Sequence, residues 1–136
     1  MTQEEILKIR EQAIKDRQRY IEDPVYRKEY WKKKASEWRP FKTQYDIPDI
    51  PVFGEEDQYI YTDIIVPALI RCGAIPKKNL VTGKKYFGDC RNAVEAVWNG
   101  EYFVYDRTKF GATHEEKINH FQDDDGYDVF IPIREI

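Results

Sequence analysis

The spacing of apolar residues changes near residue 80, and that change restricts the chain more than any single motif in it. Up to Cys72, outside a proline-rich stretch over 39–56, the apolar residues recur every three or four positions, the period of a helix; from Leu80 onward they alternate, the period of a strand. A helical front and a stranded back predict an α+β fold, with N-terminal helices and a broken third helix packed on a small antiparallel sheet of four or five strands. A chain of 136 residues suits one globular domain. Within it the pattern separates a basic helical hairpin arm over 1–38, a proline-rich packed strap over 39–56, and a helix-plus-sheet core over 57–136.

The arm opens on Thr2-x-x-Glu5, a capping-box pattern that predicts a helix start. Ile6, Ile9, Ala13 and Tyr20 then follow at helical spacing, with Leu7, Ile14 and Ile21 beside them, giving an apolar stripe that has to dock on something. Asp23-Pro24 restarts the chain as N-cap and first helical residue, predicting a second helix over 24–38. The strap holds three prolines between residues 40 and 51, too many for a regular element, yet Ile47, Ile50, Val52 and Phe53 are too apolar for a free linker. The third helix, Tyr59 to Cys72, ends at Gly73 and contains Pro67, which should kink or split it.

In the stranded half, Asn99-Gly100 is a strong two-residue hairpin signal, because both residues tolerate positive φ. That register would oppose Asn92 to Arg107 and send both, with Lys109, toward the core face beside Tyr105. Thr113-x-x-Glu116 reads as a second capping box and predicts a short helix over 114–121. Pro132 predicts that the last strand lies at a sheet edge.

Three functional readings follow. The first is a non-enzymatic binding protein that occupies a macromolecular partner, most naturally a protein. Residues 1–43 hold 12 Lys and Arg against 8 Asp and Glu, while residues 44–136 hold 10 against 17, so the chain has a basic front and an acidic back. The surfaces for this reading are Tyr30, Trp31, Lys28, Lys32, Lys33 and Lys34 on the second helix, and the acidic turn Asp123, Asp124, Asp125. The interleaved rings and lysines of helix 24–38 also make nucleic acid a candidate partner. The size and composition suit a small phage or mobile-element accessory protein. The second reading is a pocket for an anionic small molecule or nucleotide at Asn92, Arg107, Lys109, Tyr105 and Tyr86, since a core-facing guanidinium needs an anionic neighbour. The third is a Cys90-dependent enzyme using His114 or His120 as base.

Cofactor and metal are not expected. Cys72 and Cys90 form no C-x-x-C pair and neither lies near His114 and His120 in sequence, although the two histidines have five residues between them, and the Asp123–Asp128 run fails calcium-loop spacing, because Gly126 at position six would put Phe121 and Pro132 at positions one and twelve. Two cysteines make a poor disulfide framework, and no apolar run approaches the ~20 residues that span a bilayer, so a soluble, cytoplasmic protein is expected.

Overall fold

The computed structural model describes residues 1–91, 93–124 and 129–136. Helices α1 (Gln3–Glu22) and α2 (Pro24–Ser36) meet at Asp23, whose carboxylate accepts from the Val25 and Tyr26 amides. A strap with Ile47 and Phe53 buried leads into the broken third helix: α3 (Gln58–Ile60), a π-helical turn (Tyr61–Ile65) and α4 (Val66–Arg71). The wide turn lies just before Pro67, which has no N–H to donate, and the helix proceeds through it. It ends in a Schellman motif: Ala74 N–H donates to Leu69 O and Gly73 N–H to Ile70 O, with Gly73 at φ 122°.

Five strands follow: β1 (Lys85–Asp89), β2 (Glu95–Trp98), β3 (Phe103–Lys109), β4 (Ala112–His120) and β5 (Val129–Glu135). The fold is α+β, as the change of period predicts. Neighbouring strands are antiparallel except β4 and β5, and the pairing of β1 with β5 closes the sheet into a barrel.

Three local expectations change. Asn99-Gly100 does not form a two-residue loop: Trp98 pairs with Phe103, so the loop is Asn99 to Tyr102, held by the Asn99 side chain accepting from the Glu101 and Tyr102 amides. This slip by two positions brings the Trp98 and Phe103 rings to 5.0 Å, and an even slip keeps Ala96, Trp98, Phe103 and Tyr105 on one face as predicted. The two-residue turn falls instead at Phe110-Gly111, between paired Lys109 and Ala112, with φ of 53° and 76°. Residues 114–121 accordingly form no helix; most belong to β4, because pairing with β3 lets Ile118 and His120 alternate into the core. The last strand is not an edge strand either. It pairs with β1 and, at Val129 and Phe130, with β4, and Pro132 itself lies beside β1 at a bulge opposite Gly88.

Side chains form two cores. Tyr86, Ala96, Trp98, Phe103, Ile118 and Phe130 fill the barrel. Ile60, Tyr61, Ile65, Val66 and Leu69 pack with the strap against Phe121 and Ile131 outside it. Fully buried His120 joins them, its ring 6.0 Å from Phe103 and 4.3 Å from Phe121.

Two substitutions test this geometry. A Cβ at Gly88 would stand 2.1 Å from Ile131 O, so Gly88→Ala should force the β1/β5 bulge apart. We expect a loss of about 3 kcal/mol, or roughly 10 °C in Tm, against no change for Gly54→Ala, and equal midpoints would refute the closure. Phe110 is 96% exposed with a positive φ, so Phe110→Gly should stabilise by about 1 kcal/mol in chemical denaturation.

Candidate interaction surface

Helix α1 has no buried residue. Ile6, Leu7, Ile9, Ile14 and Ile21 are 39 to 68% exposed, so the predicted stripe exists and its aliphatic part is left open by the described residues. At 100° per residue these side chains, with Ala13 and Tyr20, occupy one half of the helix, and the only charges in that half are Arg10 and Arg17. All five carboxylates of α1 lie in the other half with Lys8, Lys15 and Arg19.

Arg27 joins this arm to the body. Its Nε and Nη2 reach the two carboxylate oxygens of Asp57 at 2.7 and 3.3 Å, while Nη1 donates to the Tyr20 and Ile21 carbonyls at 2.9 and 2.8 Å. Those carbonyls belong to the last turn of α1, where acceptors lack intrahelical donors and the dipole end is negative. The Asp57 hydrogen bond holds the Arg27 pKa above its ordinary value.

A chain of rings runs alongside. Tyr20 and Tyr30 meet edge to face at 5.3 Å, Tyr30 and Trp31 at 5.4 Å, and Trp31 and Phe53 at 5.6 Å. The Trp31 indole N–H donates to the Tyr20 hydroxyl at 2.8 Å. Tyr30 is thus partly exposed, whereas Trp31 turns inward and ties α1 to the strap. Lys28, Lys32, Lys33 and Lys34 are exposed, with Lys28 over the Tyr59 ring and Lys34 over Tyr30. Tyr20, Tyr26, Tyr30 and Trp31 line a notch of about 290 Å³ between the helices, with Asp16 and Arg17 completing it.

The sheet-end candidates are not gathered. Tyr86 is buried, its hydroxyl accepting from Val81 N–H at 2.8 Å, and Tyr105 packs beside the same core. Arg107 and Lys109 are exposed on the outer part of the β3–β4 hairpin, opposite His114 and Ala112. Among the described residues β2 pairs with β3 at Val97 and Trp98 alone, so no third strand of these residues lies beside the far part of β3 to enclose a guanidinium. Asn92 lies outside the described residues. In the acidic turn, Asp123 pairs with Lys77 at 3.0 Å and Asp124 is exposed, while Asp125 lies outside the described residues.

Cys90 donates its S–H to Ala93 O at 3.3 Å and lines a crevice of about 310 Å³ with Asp49, Tyr61, Asp89 and Arg91. Burial, with Asp49 adding its charge, raises the Asp89 carboxyl above the usual range. Both ring nitrogens of His120 are engaged by backbone: Nε2–H donates to Ile75 O at 2.8 Å, and Nδ1 accepts from Gln122 N–H at 3.1 Å. That leaves no lone pair to serve Cys90. Cys72 is buried, which raises its thiol pKa. Among the described residues no three His, Cys, Asp or Glu side chains are grouped to hold a metal, and no helix is long and apolar enough to cross a membrane.

Asp16, Arg17, Tyr20 and Tyr26 enter the notch without having been singled out as binding residues. The available signal was the recurrence of Tyr20, Tyr26 and Tyr30 across the Asp23-Pro24 break. Comparison of the chain with protein-family models, curated proteins and solved structures finds no match.

Burial lowers the His120 pKa below its ordinary value. The unfolded imidazole takes up a proton below about pH 6.5 that the folded one refuses, so this contribution is complete above that pH and is lost on acidification. Stability should fall as the pH drops below about 6.5, by up to about 1.4 kcal/mol per unit, and His120→Gln should flatten this segment of the urea-unfolding profile. An unchanged slope in the variant would show that other groups carry it.

Proposed function

We propose that this is a non-enzymatic docking protein that acts by occupying another protein, with α1 as the contact arm and the barrel and broken helix as its rigid mount. The observation that carries this reading is the 20-residue helix with its aliphatic half open to water. Such a helix draws little support from its own fold, and a covering surface supplies what is missing.

Charge narrows the partner. Arg10 and Arg17 stand within the apolar half, and Lys28, Lys32, Lys33 and Lys34 are exposed on α2, so the complementary surface is an apolar groove carrying carboxylates. A second copy of α1 fits poorly. Parallel pairing in register brings each arginine onto its counterpart, and antiparallel pairing about Ala13–Ile14 brings Arg10 onto Arg17. Single-stranded nucleic acid is less favoured than protein because Trp31 is committed to Tyr20 and Phe53, and Tyr30 is wedged between Tyr20 and Trp31 under Lys34.

The test compares wild type with Ile9→Asp and Ile14→Asp, using Glu11→Ala on the polar half as control. Exposed positions should leave the unfolding midpoint within about 0.5 kcal/mol. Quantitative co-purification from the native host should show one protein held by wild type and control and lost about tenfold or more by both isoleucine variants. Identical protein sets across all four chains would overturn the reading. So would a solution dimer that the isoleucine variants dissociate, since the occupant would then be a second copy.

A further inference from the structure

We propose that the notch between α1 and α2 is a receptor for an apolar side chain carried next to a carboxylate, the anchor residue of an acidic segment in the protein partner. This rests on the docking reading above and adds the chemistry of the contact. The notch lies in line with the open aliphatic face: Ile9, Ala13 and Tyr20 follow at four- and seven-residue spacing, so a segment laid along α1 reaches the rings at its end.

Its shape and lining suit a ring or a branched aliphatic group. Tyr20 and Trp31 stand nearly perpendicular to Tyr30, at 80° and 86°, which makes three walls, and Tyr26 contributes to the lining. A volume of about 290 Å³ accommodates one large side chain. The walls are already fixed by the Trp31–Tyr20 hydrogen bond and the contact with Phe53, so a ligand has little to order on entry.

Electrostatics selects the sign of the neighbouring charge. An aromatic box is a common receptor for ammonium groups, but here cations already sit over two of its rings: the Arg19 guanidinium lies 4.6 Å from the Tyr26 centroid, and Lys34 Nζ lies 5.7 Å from that of Tyr30. Arg17 adds a third cation; against these stand Asp16, the one carboxylate of the lining, which already accepts from Gln12 at 2.9 Å, and Asp23, which pairs with Arg19 at 3.8 Å, so one positive charge is in excess. The surroundings are therefore net positive. The Tyr20 hydroxyl accepts from Trp31 and so retains its own proton to donate to an arriving oxygen. An anion beside an apolar group satisfies both features, and a second ammonium does not.

The test uses the full chain, labelled with 15N, and two small probes of matched ring size, 3-phenylpropionate and 2-phenylethylammonium. The reporter is the Trp31 indole N–H, assigned with Trp31→Phe. We expect 3-phenylpropionate to shift that signal saturably and to bind about fivefold or more tightly than the ammonium probe. Arg17→Gln should weaken it about fivefold, and Tyr30→Ala should abolish the shift while the Trp98 indole signal stays in place. Preference for the ammonium probe, no shift at Trp31, or binding indifferent to both variants would overturn the proposal. None of those results touches the docking reading, which fails if the Ile9 and Ile14 variants keep the wild-type partner or if they dissociate a solution dimer.

Discussion

One guanidinium decides where the arm points. Arg27 closes the C-terminal end of α1 by donating to two of its carbonyls and is itself held by Asp57 at the start of the broken helix. A lysine could not do the same, because a single ammonium lacks the planar fork that engages a carboxylate bidentately while a third nitrogen serves the helix end. With that joint fixed, α1 leaves the body at Asp23 and does not fold back on it. The exposure of its isoleucines follows from this anchoring at one end.

The body suits such a mount. A closed barrel has no open sheet edge, which removes the commonest route to unwanted strand pairing and leaves the exposed helix as the principal apolar feature. The barrel and the helical layer are not independent, since β5 sends Phe130 into one core and Ile131 into the other. His120 sits between them as a neutral ring. Its hydrogen bonds reach the segment after α4 and the turn after β4, so it holds the two layers through backbone groups that would otherwise be buried without partners.

Legibility differed between site and scaffold for a physical reason. Caps and turns act over a few residues, so Thr2, Asp23-Pro24 and Gly73 announced their helix ends correctly. The stripe on α1 was equally plain, but whether a stripe is covered depends on the path of the chain beyond it. Asn99-Gly100 misled because a local preference for a tight turn competes with the pairing of Trp98 and Phe103, and ring packing inside a barrel outweighs turn preference. Thr113-x-x-Glu116 misled similarly: the cap pattern is local, whereas β4 is held by partners on two other strands.

The order of residues alone determined the two-part organisation, the alternation along the segments it marked as strands, and the amphipathic character of α1, because each depends on a short repeat read directly along the chain. Barrel closure, the outward placement of Arg107 and Lys109, and the joining of Tyr20 to Tyr30 and Trp31 in a notch were decided only by tertiary structure. Each of these turns on which distant segments end up adjacent. That is a matter of packing and of partners for buried polar groups, and no local period encodes it.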